Sequence, residues 1–403
     1  MTKYREALSL IVEELKKLSN ETERVGILHS VGRVLSLDII SDIYLPPFNT
    51  SEKDGICISY NPQITEWDLV GEITAGNYSD ITISSNQTIS VMTGAKIPES
   101  ADTVIPFEDL NVIEDEVYLK EGAKVKSGQN LILRGSIIKQ NEKAINKNTF
   151  IKNQDIALAA ACGADMIEVF CKRKIAILST GDELVDIYKT PANAQIRLTN
   201  NSTVLSLIKS IGANGINLGI VRDNPELIRK SLEDAFDSEA DIVIISGGTS
   251  NGKHDFVKKV FYEMGVEIKF NCVKIKPGAP TIFGTYLTKS GTKLLFGFPG
   301  NPISTFLCFL IFIREAFSMA QLCQPPSRID AVLKNKIRKK GNNRTFLLGR
   351  IIYNRKIKQY CVFPTHTWFS QNIDALSKSN CIIEISAGKM NLKKGDTVNC
   401  IHF

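Results

Sequence analysis

Between residues 171 and 322, short apolar runs rich in β-branched residues alternate with stretches of helical texture. This alternation constrains the fold more than any other feature of the chain. The runs KIAILST, INLGIV, DIVIISGG and KLLFGFPG are separated by helical stretches at 201–212, 225–236 and 255–265, and a long helix follows from about 302 to 319. The pattern predicts a doubly wound, mainly parallel sheet with helices on both faces. In such sheets ligands bind beyond the carboxyl ends of the strands. Four of those ends carry conspicuous loops: STGDEL at 179–184, RDNP at 222–225, SGGTSNGKHD at 246–255 and GFPGNP at 297–302. The strand-end rule gathers all four on one edge, which is the predicted site.

The flanking segments read differently. Residues 3–18 place Leu8, Ile11, Val12, Leu15 and Leu18 at helical spacing among charges, an amphipathic helix that packs on a later element. Short β-like runs broken by Gly, Pro, Asn and Ser mark a β-rich module at 46–129. A helix at 153–164, with Asn153 near its cap and Gly163 near its end, is expected to close a subdomain with the N-terminal helix. After Pro325-Pro326 the chain returns to short strands, CIIEIS and DTVNCIHF, with basic loops. The 403 residues therefore divide into 1–45 with 130–170 (domain I), 46–129 (domain II), 171–322 (domain III) and 323–403 (domain IV). The expected class is multidomain: a central α/β domain, flanking β-rich domains and a helical and β N-terminal domain.

Charge is distributed unevenly. The net +6 resolves into 15 Lys and Arg against 4 Asp and Glu in residues 323–403, or +11, and 34 against 39 in the first 322, or −5. Arg338-Lys339-Lys340, Arg344, Arg350, Arg355 and Lys356 could form a cationic face. The tail lacks the aromatic interleaving of a nucleic-acid module, so the expectation is no nucleic-acid partner and a basic wall for an anionic small molecule. The most apolar run, 305–313, is far shorter than the roughly 20 residues a bilayer requires. It reads as a buried helix, with no membrane association. Nine Cys stand singly, with no CxxC pair and no export signal, which suits reduced thiols in cytoplasmic cores.

Residue types in the strand-end loops suggest phosphate chemistry. Gly247, Gly248 and Gly252 allow a tight turn whose N–H groups could cradle an anion. Asn301-Pro302 reads as an N-cap followed by proline in the first turn, and a helix N-terminus favours anions. Asp182, Glu183, Asp223 and Asp255 are hard oxygen donors suited to Mg²⁺ bridged to a substrate phosphate. Lys276, in KPGAP at 276–280, could be a fixed cation for an oxyanion. Taken singly, these loops could be plain connections or helix caps; together on one edge they favour a nucleotide or phosphate site. The four His show no metal spacing, and no Ser-His-Asp arrangement can be read.

The ordered set LPPFNTSEKDG (45–55), VMTGAKIPESADTVIPFED (91–109), STGDEL, VRDNP, SGGTSNGKHDF, IKPGAP and FGFPGNP resembles the MoeA family of molybdopterin molybdenumtransferases, found also as the E domain of gephyrin. The resemblance spans essentially the whole chain. It implies an elongated homodimer of four-domain subunits with a MogA-like domain III, its active site shared between domains III and IV of one subunit and domain II of the other. It implies insertion of molybdate into the dithiolene of adenylated molybdopterin, with release of AMP and a requirement for magnesium. The implied catalytic residues are Glu183, Asp255, Lys276 and Asp54, with Asp182, Glu183, Asp223 and Asp255 as the metal set. Thr93, Ser179, Thr180, Gly181, Ser246, Gly247, Gly248, Pro299, Gly300, Asn301 and Arg350 would contact substrate. A MogA-like adenylyltransferase and molybdoenzyme apoproteins are the implied further partners. Three positions depart from the family pattern: Ala279 replaces the second lysine of KPGKP, the turn at 133–138 lacks its usual acid, and the serine-rich stretch of domain IV is matched loosely at 365–370. A paralogue that binds molybdopterin or a partner without efficient turnover, or an enzyme using tungstate, is the alternative.

Overall fold

The computed structural model describes residues 1–77, 80–249, 256–339, 341–365 and 372–403. The chain forms two compact units, one of Met1–Glu23, Gly32–Val34 and Val169–Phe403, the other of Arg24–Val31 and Leu35–Glu168.

In the first unit, α1 (Tyr4–Lys17) precedes an alternating series: β1 (Lys174–Thr180), α2 (Asn200–Ser210), β2 (Asn214–Val221), α3 (Pro225–Asp237), β3 (Ile242–Ser246), α4 (Phe256–Glu263), β4 (Glu267–Phe270), β5 (Ile282–Thr288), β6 (Gly291–Phe298) and α5 (Pro302–Cys308). The sheet order is β2-β1-β3-β6-β5-β4. The first four strands run parallel, as the alternation predicts, while β5 pairs antiparallel with β6 and β4 antiparallel with β5. That antiparallel edge is an addition to the expected order.

Successive residues of β1 face opposite cores, the period-2 consequence of an extended chain. Ile175 and Ile177 pack with α1, α2 and the helical run after Asn301, whereas Ala176 and Leu178 pack with α3 and α4. The run Pro302–Met319 has the length and mean hydropathy, 1.5, to cross a membrane, but 83% of it is buried in this core. It is the buried helix its short apolar stretch suggests. The N-terminal helix corrects an expectation. Its Ala7, Leu8, Ile11, Val12 and Leu15 belong to the same core as Ile175, Phe270 and Phe312, so it is part of the α/β module. Its apolar stripe required a partner but did not specify which.

The C-terminal strands β7 (Arg328–Leu333), β8 (Arg344–Asn354), β9 (Gln359–Pro364), β10 (Cys381–Ile385) and β11 (Thr397–His402) pair in the closed ring β8-β9-β7-β11-β10-β8. Ring closure removes exposed edges. Leu333, Ile351, Val362, Ile383 and Cys400 fill its interior. The short strand Ile275–Lys276 pairs with the start of β8, placing Lys276 beside Thr345 and tying the barrel to the α/β module.

The second unit contains a six-stranded sheet in the order Thr103–Pro106, Gly55–Ile58, Gln87–Val91, Glu66–Ile73, Glu116–Leu119 and Leu110–Ile113. This is the β-rich module expected at 46–129. The helix Asn153–Ala161 lies in the same unit, with the Asp155 carboxylate accepting from the Lys152 N–H at 2.8 Å.

Candidate active site

Because β1, β2, β3 and β6 are parallel, their carboxyl ends open onto one edge. A cleft of about 320 Å³ lies there, walled by Thr180, Glu183, Asp223, Ser246–Thr249 and Pro299–Pro302, and on its far side by 196–200. All four loops chosen from sequence contribute to this wall.

Hydrogen bonds fix the acids. The Thr180 hydroxyl donates to the Asp223 carboxylate, and the Asp223 N–H donates to Asp182 Oδ1 at 3.3 Å. Asp223 is spared a capping role because the neighbouring Asn224 accepts from the Glu226 and Leu227 N–H groups at 2.9 and 3.1 Å. Asn301 caps α5 through the Ser304 N–H, with Pro302 next, as expected. Gly247 has φ +105, and a Cβ there would lie 2.4 Å from the Thr180 carbonyl oxygen. A Cβ on Gly300 would lie 3.2 Å from Gly247 Cα, so two loops meet backbone to backbone. Only glycine permits that approach.

Several site expectations need correction. The Gly247 N–H donates to the Phe298 carbonyl at 3.0 Å and the Gly181 N–H to the Val221 carbonyl at 3.2 Å, so neither amide is turned to an anion. Ser179 is fully buried and donates to Asn201 Oδ1 at 2.7 Å, which makes it part of the framework behind the cleft. Asp182 meets the cleft through the Asp223 amide and is not itself in the wall. Asp255, and with it most of the Gly-rich loop and the stretch 366–370, lies outside the described residues. Among the described residues no cluster of three or more His, Cys, Asp or Glu side chains forms a ready metal cage.

Lys276 lines a second cavity, of about 100 Å³, between the α/β module and the barrel. Its floor is apolar, with Ile303, Leu307 and Phe346, and Lys336 and Arg338 stand in the same wall. Pro302 lines the first cavity and Ile303 the second, so the opening turn of α5 separates them. Gly278 locks the KPG turn onto that helix: its φ is +91, and a Cβ would strike Cys308 Sγ at 2.5 Å. Burial pushes the Cys308 thiol up to about 12.

Of the basic residues expected to form a cationic face, Arg338 lines the second cavity. Arg350 is exposed on β8 and lines neither cavity. Arg344 is held by Glu384 and lies over the Tyr4 ring, 5.4 Å from its centroid. Lys336, not named from the sequence, lines the same cavity beside Arg338. Sequence reasoning also passed over Asn200, whose Nδ2 donates to Ser246 Oγ at 2.7 Å and to the Gly300 carbonyl at 2.8 Å.

In the second unit, Asp54 and Thr93 come together across 39 residues of sequence. The Thr93 N–H and hydroxyl donate to Asp54 Oδ1 at 2.6 and 2.8 Å. These bonds, the backbone one foremost, hold the exposed Asp54 carboxyl below the usual aspartate range.

Over 398 residues the chain is 30% identical to the molybdopterin molybdenumtransferase of Haemophilus influenzae, covering 98% of this chain and 96% of that one. The chain belongs to the molybdopterin molybdenumtransferase family. Three family descriptions match the chain in order: MoeA N-terminal region (domain I and II) at 2–163, probable molybdopterin binding domain at 176–318, and MoeA C-terminal region (domain IV) at 330–403. Gephyrin of Dictyostelium discoideum is 32% identical over 356 residues, 78% of this chain and 49% of that protein. Among solved structures, the molybdopterin biosynthesis MoeA protein of Pyrococcus horikoshii OT3 superimposes with a TM-score of 0.83 at 27% identity, covering all of both chains. The cleft lies within the molybdopterin-binding match, and the second cavity is shared between that segment and the C-terminal one.

Proposed function

We propose that this chain is a molybdopterin molybdenumtransferase that inserts molybdate into the dithiolene of adenylated molybdopterin and releases AMP in molybdenum cofactor biosynthesis. The observation that carries the reading is the pair of adjoining cavities in a chain with full-length relatives of that name. One offers carboxylates and hydroxyls at a parallel sheet's carboxyl edge, the place where this topology binds nucleotides. The other offers Lys276, Lys336 and Arg338, cations that suit a tetrahedral dianion.

Asp223, fixed by the Thr180 hydroxyl, and Asp182, bonded to its amide, bring hard oxygen donors into one loop contact. That donor set fits Mg²⁺, which takes one or two carboxylates together with substrate phosphates. Asp182, Glu183 and Asp223, with Asp255, would hold the ion, and when bound it supplies neutralisation of phosphate charge. Thr180 orients Asp223, Asn301 and Pro302 set the helix start between the cavities, and Lys276 with its neighbours attracts and orients the oxyanion. A homodimer with a shared active site, in which the second subunit supplies Asp54 and Thr93, is part of the proposal. So are a cytoplasmic location and exchange with a MogA-like adenylyltransferase and molybdoenzyme apoproteins.

The test is AMP release and cofactor formation from adenylated molybdopterin, molybdate and Mg²⁺. Turnover that stops with chelator and falls at least about 100-fold in Glu183→Ala supports the reading. Turnover no greater than that of Glu183→Ala overturns it. Ala279, which leaves the KPG turn one lysine short, favours the second reading of binding without efficient turnover. Complementation of a strain lacking its own molybdenumtransferase separates the two, and tungstate competition in the same assay identifies the oxyanion.

A further inference from the structure

No acid occurs between Asp330 and Asp374, while the same 43 residues, 331–373, hold ten Lys and Arg. The barrel neutralises few of them. Among the described residues of 323–403, ion pairs engage only Arg328, Arg344 and Lys378. The surplus gathers on the hairpin of β8 and β9, where Arg350, Arg355, Lys356 and Lys358 are all exposed.

This hairpin reaches past the barrel. β8 pairs with β10 only as far as Gly349 and β9 with β7 only at Cys361 and Val362, whereas β8 and β9 pair with each other out to Asn354 and Gln359. Its turn is fixed, because Asn354 Oδ1 accepts from the Lys356 and Ile357 N–H groups at 3.0 and 3.4 Å. Register then defines two faces. Ile351 and Val362 point into the barrel core, so Arg350 and Ile352, with Phe363 and Cys361 opposite them, face outward. Beyond the core, on the inner face, Tyr353 and Tyr360 lie opposite each other with their rings 5.1 Å apart, edge to face. Ile352, Tyr353, Ile357, Tyr360 and Phe363 are each 40–51% exposed. Large apolar side chains grouped in this way and rimmed by charge mark an interaction surface.

We infer that the β8–β9 hairpin is a docking surface for an acidic segment of another protein, one that carries apolar side chains among its carboxylates. Charge complementarity selects the occupant. Four cations with no acid in their own stretch attract and orient an anionic chain, and Ile352 and Phe363 give its apolar side chains a surface to cover. A nucleic acid would use the charge alone: Tyr353 and Tyr360 are turned against each other rather than set as parallel platforms for bases, and Ile352 and Ile357 have no stacking face. An anionic bilayer would need the apolar groups at the tip, where only Ile357 lies. A second copy of this chain brings a net charge of only −5 over its first 322 residues, 34 cations against 39 acids. The hairpin serves no step of the reaction proposed above, and its occupancy does not depend on that reading.

The test is selection from a random peptide library on the immobilised full-length protein, in parallel with a triple variant carrying Arg355→Glu, Lys356→Glu and Lys358→Glu. Sequences retained by the parent and lost on the variant should be rich in Asp and Glu and contain apolar residues. A synthetic peptide from that set should bind the parent at least about tenfold more tightly than the triple variant, and more weakly as salt rises. Ile352→Ser should weaken it too, and with the salt series this variant decides the matter should the triple variant fail to fold. No enrichment, equal retention by parent and variant, or selected sequences without acidic bias would overturn the inference. So would tighter hairpin-dependent binding of a mixed-sequence single-stranded oligonucleotide or of vesicles containing phosphatidylglycerol. A changed oligomeric state in the triple variant would place a second copy on this face and overturn it as well.

Discussion

The Asp54 carboxylate and Thr93 are joined by two hydrogen bonds to one oxygen, 2.6 Å from the Thr93 amide and 2.8 Å from its hydroxyl. Both favour the ionised acid, so the folded pKa is depressed. The stability this contributes is present above the ordinary aspartate pKa and is lost as pH falls through the depressed value. Thr93→Val keeps the amide and removes the hydroxyl. Asp54 should then titrate at a higher pH, still below an ordinary aspartate, in a carboxyl-carbon NMR titration. An unmoved titration would show that the hydroxyl bond does not form in solution.

Gly247→Ala would place a methyl group 2.4 Å from the Thr180 carbonyl at φ +105. Strain and overlap together should destabilise the first unit by about 2 kcal/mol or more. Thr180 must shift, so the Asp223 carboxylate it holds is displaced as well. Urea denaturation followed by circular dichroism reads the first effect, and AMP titration the second. A variant as stable as the parent would contradict the close packing of the two loops.

Legibility in the sequence followed the range of the interactions involved. The four strand-end loops could be placed together because a parallel sheet sends all its carboxyl ends one way, whatever its side chains do. Asn200 escaped notice because its role depends on the Gly300 carbonyl, 100 residues away, and a polar residue before a helix ordinarily reads as a cap. That Lys336 and Arg338, and not Arg350, line the second cavity was hidden for a related reason. Alternation along β8 sets which side each residue faces, and charge composition carries no register. Glu384, which holds Arg344, is likewise invisible until β10 pairs with β8. Asp54 and Thr93 were found together only through their motifs, since neither residue type announces the other.

The cationic cavity makes a prediction about salt and specificity. Lys336 and Arg338 are exposed, so their attraction for an anion is screened as the Debye length shrinks from about 10 Å at 0.1 M salt to about 3 Å at 1 M. Lys276→Ala should raise the apparent KM for molybdate roughly tenfold, the loss of one charge-assisted contact, with a smaller change for adenylated molybdopterin. Arg350→Ala, on the exposed face of β8, should leave both constants unchanged. Steady-state kinetics across an ionic-strength series tests all three statements, and an Arg350→Ala defect equal to that of Lys276→Ala would overturn the assignment.

Seven of the nine cysteines are buried; Cys171 and Cys272 are partly exposed. Burial raises the thiols of Cys57, Cys308 and Cys323 to about 12. They are neutral at physiological pH, and the thiolate is the reactive form. A disulfide-exchange reagent should therefore titrate at most two thiols quickly in the native protein and all nine in denaturant. Rapid reaction of a third would reveal opening of a core.

The membership of α1 in the α/β core rests most heavily on Tyr4. Its ring lies 5.9 Å from Phe312 and 5.2 Å from Phe346, and its hydroxyl donates to the Ile311 carbonyl at 2.9 Å. That carbonyl belongs to the π-helical turn Phe309–Arg314, where the widened backbone spacing leaves the usual partners out of step. Tyr4→Ala removes ring and bond together and should cost about 3–5 kcal/mol. Tyr4→Phe removes the bond alone and should cost about 1 kcal/mol. The difference between the two variants in thermal denaturation separates packing from hydrogen bonding. If Tyr4→Ala were as stable as the parent, the helix would be an appendage of the α/β module. A large loss makes the first 18 residues part of the unit that builds the cleft, and their deletion should then abolish AMP binding along with the cooperative unfolding of that unit.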